Sequence, residues 1–96
     1  MNISGYVFEG PYSLDSAEFN AVSAVYVISD VNRAPLDVGQ TSDLSARMAT
    51  HDREDCWRRN AKGQVMVYAR VENSESARLE LERVIRNRHS FTCGVF

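Results

Sequence analysis

Three stretches of the chain are apolar at successive or alternate positions, and they predict the strands of one sheet. The run Ser23–Ser29 is apolar at its five central positions, which is typical of a strand buried on both faces. After the turn residues DVNRAP, the stretch 35–40 predicts the second strand of a hairpin. In 64–72 two sets of side chains alternate, so we expect a third strand with two different faces. A shorter stretch, residues 4–9, predicts an edge strand that a turn at Gly10-Pro11 ends.

Helical spacing predicts three helices. Leu44 and Met48 form an apolar stripe, and Arg47 and His51 lie beside it on the same predicted helix. Thr41 or Ser42 is the expected N-cap of that helix. Residues 53–60 predict a second short helix anchored by Trp57, and residues 74–88 predict a longer last helix with one apolar face.

The element order is therefore strand, strand, helix, helix, strand, helix. This order predicts an α+β fold in which a small three-stranded, mainly antiparallel sheet is flanked by helices. Ninety-six residues are enough for one domain, so we expect a single unit over 1–96, with an N-terminal extension (1–22) and a core (23–94).

Composition narrows the class of protein without naming a function. The chain is 44% hydrophobic, and it has neither an apolar run of membrane-spanning length nor the pattern of a signal peptide at its start. We therefore expect a cytoplasmic protein with no membrane partner. Cys56 and Cys93 form no metal-type spacing, so reduced thiols are the default expectation, and a disulfide between them is left open.

Charge is distributed unevenly along the chain. The formal net charge is -2, but no lysine or arginine precedes Asn32, and ten of the eleven basic residues are arginines. Arginine suits bidentate contacts with phosphate. A local basic patch is a candidate nucleic-acid surface; its members are Arg47, Arg53, Arg58, Arg59 and Lys62. The alternative is a salt-bridged surface helix, since Asp52, Glu54 and Asp55 lie among them.

The order of several short motifs resembles the GIY-YIG nuclease superfamily. Ala24-Val25-Tyr26 ends the first strand as the first signature does, and Asp37-Val38-Gly39 matches the second signature after the hairpin. Arg47 follows Gly39 by eight residues, and His51 stands where the family often has histidine. In the last helix, LERVIR selects Glu82 over Glu80 as the glutamate of the family.

This resemblance implies a metal-dependent endonuclease that hydrolyses phosphodiester bonds in DNA or RNA. It implies that Glu82 holds one Mg²⁺ or Mn²⁺ ion and that Arg47 stabilises the charge that develops on the phosphate. It also implies that Tyr26, with His51 near it, acts on the attacking water. Gly39 would allow close approach of neighbouring groups to the backbone.

The sequence departs from the family pattern mainly at Asp37, which stands in place of a tyrosine. Asp37 could add a second carboxylate to the metal site, pair with Arg47 or His51, or mark a domain that kept the fold and lost the chemistry. Ala24 replaces a glycine, and the late asparagine of the family has no counterpart in HSFTCG. A catalytically inactive domain that binds nucleic acid or protein is therefore the second hypothesis, and a structural domain without a phosphate site is the third.

Overall fold

The computed structural model describes residues 1–94 and confirms the α+β class. Its elements follow the chain in this order: β1 (Asn2–Ile3), β2 (Tyr6–Val7), β3 (Glu9–Ser13), β4 (Ala24–Ser29), β5 (Pro35–Thr41), α1 (Leu44–Ala49), α2 (Glu54–Asn60), β6 (Met66–Val71) and α3 (Glu75–Arg88). Within this part of the chain, no helix combines the length and the apolar character needed to cross a bilayer.

The main sheet has four strands in the order β3-β6-β4-β5, with every neighbouring pair antiparallel, and β1 and β2 form a separate two-stranded sheet. The prediction of a three-stranded sheet is therefore wrong. The fourth strand comes from the N-terminal stretch, because Gly10 and Pro11 lie within β3 instead of ending a strand. A register shift between Glu9 and Tyr12 accommodates them, and the edge position of β3 tolerates a proline, which has no amide hydrogen.

Helices cover both faces of the sheet. On one face, Tyr26, Ile28 and Val67 pack with Leu44 and Met48 of α1 and with Trp57 of α2. On the other face the core is formed by residues from the sheet, α3 and the flanking segments, namely Phe8, Val25, Val27, Val38, Tyr68, Leu81, Ile85 and Phe91. The alternation predicted for β6 is confirmed, since Val67 and Tyr68 belong to different clusters.

Helix boundaries differ from the predicted ones in ways that move candidate residues. Asp43, rather than Thr41 or Ser42, caps α1, because its side chain accepts from the amide of Ala46. The helix ends at Ala49, so His51 lies in the connection to α2 and not on α1 as predicted. Ser74, the first residue of the predicted last helix, is the N-cap of α3, and its side chain accepts from the amide of Ala77.

A disulfide joins Cys56 of α2 to Cys93, beyond the end of α3. The default expectation of reduced cysteines is therefore wrong. The sequence left this pairing open but did not favour it, because the two residues are 37 positions apart and are brought together only by the fold. The segment around Cys93 runs past β5, where the amide of Cys93 donates to the carbonyl of Leu36 (2.7 Å).

Candidate functional site at the edge strand

Asp37 is a fully buried carboxylate on the edge strand β5, and every contact of its oxygens explains why it is tolerated there. Oδ2 accepts from Nε of Arg53 (2.7 Å) and from Nε1 of Trp57 (2.9 Å). Oδ1 accepts from Arg86 (3.3 Å) and from the amide of Val38 (2.8 Å). Two guanidinium groups thus neutralise the buried charge, as burial of a charge requires. The partners are Arg53 and Arg86 and not the Arg47 or His51 that the sequence suggested.

Tyr26 crosses the sheet face from β4 and lies directly on Gly39 of β5, with which it is paired in register. A Cβ atom at position 39 would overlap the phenol of Tyr26, closer than real Cβ atoms ever approach. Gly39 is therefore required by a neighbouring side chain, and its φ angle plays no part in this requirement. The sequence predicted that Gly39 allows a neighbouring group to approach the backbone closely. In the structure that group is the ring of Tyr26.

The hydroxyl of Tyr26 lies 2.7 Å from Nε2 of His51. The backbone amide of Arg53 donates to Nδ1 of the same imidazole (3.0 Å), so Nδ1 must be the unprotonated nitrogen. The proton of the neutral ring is then on Nε2, which donates to the oxygen of Tyr26. Burial, reinforced by the charges of Arg47 and Arg53, lowers the pKa of His51 to about 4, so the ring is neutral at neutral pH.

Arg47 of α1 lies beside the hydroxyl of Tyr26 and also pairs with the exposed Asp52 (2.9 Å). Burial raises the pKa of Tyr26, and the neighbouring guanidinium of Arg47 opposes that rise. With His51 donating to its oxygen, the phenol keeps its own proton available, and no acceptor for that proton is found among residues 1–94. The phenol therefore has one hydrogen that no group of residues 1–94 accepts, although the ring is almost fully buried.

Glu82 is half-buried on α3 and faces the same edge of the sheet. Burial raises the pKa of its carboxyl group, against the lowering effect of the Arg86 and Arg53 charges, and the backbone amide of Gln40 also faces it. Glu80, the glutamate that the motif did not select, is instead exposed and paired with Arg83. Of these two glutamates, Glu82 therefore belongs to the polar cluster at β5 and Glu80 does not.

The structure thus brings the predicted site residues into two adjoining groups. Tyr26, Arg47 and His51 form one, on the α1 side of β5. Glu82 belongs to the other, with the pair formed by Asp37 and Arg53. The two groups adjoin because the charges of Asp37 and Arg53 influence the pKa values of both Tyr26 and Glu82. Trp57, predicted as a structural anchor, is fully buried between them and stacks near His51, with ring centroids 4.2 Å apart.

The predicted basic patch is not a continuous positive surface. Arg58 pairs with Asp15 (2.7 Å) and Glu54 (3.0 Å), Arg53 is committed to Asp37, and Arg47 to Asp52. Arg59 and Lys62 are exposed and form no ion pair within residues 1–94. Part of the patch is therefore the salt-bridged helix surface that the alternative interpretation described.

The same cluster closes the open edge of the sheet. Along β5, alternate residues turn their backbone groups away from β4, and several of these groups bond to neighbouring residues outside the sheet. The carbonyl of Val38 accepts from Arg86, its amide donates to Asp37, and the amide of Gln40 faces Glu82. An unpaired strand edge is a template for self-association, and charged side chains are a common protection against it. The cluster therefore has a structural use that is independent of any substrate.

Two residues of the cluster were missed from the sequence. Arg86 lies four positions after Glu82, so helical spacing places it on the same face, but the motif gave it no role. Arg78, buried on α3, donates to the side chain of Gln40 (2.9 Å) and to the carbonyls of Glu72 and Asn73. Its apolar neighbours in the helix gave no sign that an arginine would be buried there.

Comparison with known proteins gives no match to this chain: no protein-family model, no curated protein and no solved structure corresponds to it. The GIY-YIG assignment therefore stays a hypothesis that rests on the order of the motifs.

Proposed function

We propose that the chain is a GIY-YIG-type phosphodiesterase that cleaves DNA or RNA at the edge of β5. The observation that carries the proposal is the hydroxyl of Tyr26, held between a neutral His51 and the guanidinium of Arg47 and next to the cluster that contains Glu82. These side chains come from four separate segments of the chain, and the motif order selected all four.

In this mechanism Tyr26 positions the attacking water. His51 fixes the phenol oxygen by donating from Nε2, so the phenolic proton is directed to an external oxygen. Arg47 binds a phosphate oxygen and stabilises the charge that develops on it. Its present partner, Asp52, is largely exposed, and an exposed ion pair holds a side chain only weakly, so a phosphate can compete for the guanidinium.

The side chains at this edge fit a hydrated magnesium or manganese ion, which needs few protein ligands. They do not fit a metal that is held by three or more side chains. No group of three or more histidine, cysteine, aspartate or glutamate side chains that could hold a metal occurs in residues 1–94, and both oxygens of Asp37 are occupied. Asp37 is therefore not a second metal ligand. Mg²⁺ commonly binds through one or two carboxylates, waters and substrate phosphate oxygens, and Glu82 would supply the carboxylate. Such an ion supplies Lewis-acid stabilisation of the phosphate and the leaving oxygen.

A second candidate function is a non-catalytic domain of the same fold that binds nucleic acid or a protein. The favouring observation is that Asp37, Arg86 and Glu82 already have a complete structural use at the edge of β5. The phenol of Tyr26 is also almost fully buried, with about 1% of its surface exposed. A substrate would therefore reach it only if the side chains that cover it move.

One assay separates the two candidates. Labelled single- and double-stranded DNA and RNA are incubated with the protein and Mg²⁺ or Mn²⁺, alongside Glu82→Gln and the matched control Glu80→Gln on the same helix. We expect cleavage to fall by about 100-fold or more in Glu82→Gln, because a catalytic charge contact is lost, and to persist in Glu80→Gln.

Equal cleavage by wild type and Glu82→Gln would refute the assignment of Glu82. Salt-sensitive binding without cleavage by the wild type would refute the nuclease and favour the non-catalytic domain. The absence of both would refute both nucleic-acid functions and leave protein binding.

A further inference from the structure

Two non-glycine residues, Ser4 and Arg33, have left-handed backbone conformations, with φ angles of 53° and 65°, and within residues 1–94 no other non-glycine residue has a positive φ. Ser4 belongs to the turn between β1 and β2, and Arg33 to the turn between β4 and β5. In the second turn the amide of Arg33 donates to the carbonyl of Asp30 (3.1 Å), where a glycine would fit without strain. Strained residues of this kind cluster at functional sites.

Both strained residues line the same cavity, which has a volume of about 240 Å³. Its apolar walls include Val27, Tyr68 and Phe91, on the α3 side of the sheet. The cavity lies apart from the hydroxyl of Tyr26, which points to the other face. A cavity of about 150 Å³ with apolar walls holds one benzene ring, so this one has room for a six-membered ring with a substituent.

The polar side chains of the cavity are basic or neutral. Arg33 and His89 lie at its boundary, and no aspartate or glutamate of the described residues lines it, although acidic residues outnumber basic ones in the whole sequence. Ser4 Oγ lies 3.3 Å from Nε2 of His89 and holds that ring at the boundary. Arg33 forms no ion pair with any carboxylate of residues 1–94. Arg33 at the boundary is therefore open to an external anionic group, since no carboxylate of residues 1–94 pairs with it.

We infer that this cavity binds a small aromatic anion, a single six-membered ring that carries a carboxylate or a phosphate. The ring packs against Tyr68 and Phe91, and the anionic group pairs with Arg33, for which a bidentate contact is the favoured geometry. The strained conformation of Arg33 is then explained by binding, because glycine would give the turn without the guanidinium. This site is independent of the proposed nuclease.

The test is a titration of the ¹⁵N-labelled protein, followed by NMR, with benzoate, phenyl phosphate and the uncharged benzyl alcohol. We expect saturable shifts at Val27, Tyr68 and Phe91 with the anions at millimolar concentrations. Benzyl alcohol is expected to bind about 10-fold more weakly, because the charge-assisted contact is missing. A preference between the two anions identifies the acid group.

Arg33→Gly separates a binding role from a structural one. We expect this variant to melt at a higher temperature, because the strained backbone is relieved, and to bind the anions about 10-fold more weakly. Arg83→Gln, which removes an exposed arginine of α3 outside the cavity lining, is expected to leave binding unchanged. Unaltered binding in Arg33→Gly, equal affinity for benzyl alcohol, or an absence of shifts at the cavity would each overturn the inference.

Discussion

The buried imidazole of His51 should make the stability of the protein depend on pH. Its pKa is lowered from 6.5 to about 4, so between these values the unfolded chain binds a proton that the folded protein excludes. Stability must then fall as the pH is lowered through this window. The side chain of His51 is fully buried, so the full pKa shift applies. Once the pH has fallen through the whole window, the loss of unfolding free energy is about 3 kcal/mol.

The assay is urea or thermal denaturation between about pH 7.5 and about pH 5.5, a range that stays above most carboxylate titrations. Over this range the His51 contribution falls by about 1.3 kcal/mol, which lowers the melting temperature by about 5–10 °C for a domain of this size. His51→Gln should lose this part of the pH dependence, whereas His89→Gln, which removes the exposed histidine, should keep it.

Two results would refute this reasoning. One is a pH dependence of stability that is the same in wild type and His51→Gln. The other is an NMR titration of the His51 ring in the folded protein with a midpoint near the ordinary histidine value. Either result would mean that the ring is solvated or paired with an anion, and the hydrogen bond from Nε2 to Tyr26 would then have to be reassigned.

Two further substitutions test the packing of the candidate site. Gly39→Ala should lower the unfolding free energy by about 1–3 kcal/mol, because its Cβ overlaps the phenol of Tyr26, and an unchanged melting temperature would contradict the contact. Asp37→Asn should lower the unfolding free energy by about 2–4 kcal/mol, because Arg53 and Arg86 lose their anion. The loss is smaller than for a fully buried ion pair, because about a quarter of each arginine side chain is exposed. The control is Asp52→Asn, which removes an exposed ion-pair partner of Arg47. In the same denaturation experiment it should change the unfolding free energy by less than about 1 kcal/mol. Equal losses in the two variants would refute the argument that Asp37 is a buried ion-pair partner.

Much of the fold was predictable because the signals were local. The apolar run before Asp30 gave β4, the alternation after Gly63 gave β6, and Ser74 gave the start of α3. The strand β3 was missed because Gly10 and Pro11 favour a turn in most contexts, and only the edge position next to β6 lets them lie in a strand. The strand β3 therefore depends on its pairing with β6, which lies more than fifty residues later in the chain.

Sequence reasoning named part of the polar cluster at β5, missed Arg78 and Arg86, and predicted none of the contacts within it. Tyr26 contacts His51 in the connection after α1, which ends at Ala49, two residues before the helical pattern suggested. The partners of Asp37 come from α2 and α3, so no spacing within its own segment could reveal them. Helical periodicity finds residues on one face, whereas ion pairs between elements depend on how those elements dock.

The use of the same charges to seal the edge of β5 has a consequence for how this chain can change over evolutionary time. A descendant that lost the proposed cleavage activity would still need Asp37, Arg86 and Glu82, because without them the backbone groups of Val38 and Gln40 would be open to another strand. Selection for solubility alone would keep these three residues in place. Within residues 1–94, Arg47 and the hydroxyl of Tyr26 bond to other side chains and not to the backbone of β5. Under the proposed function, they are therefore the positions whose loss in a relative would mark the loss of cleavage.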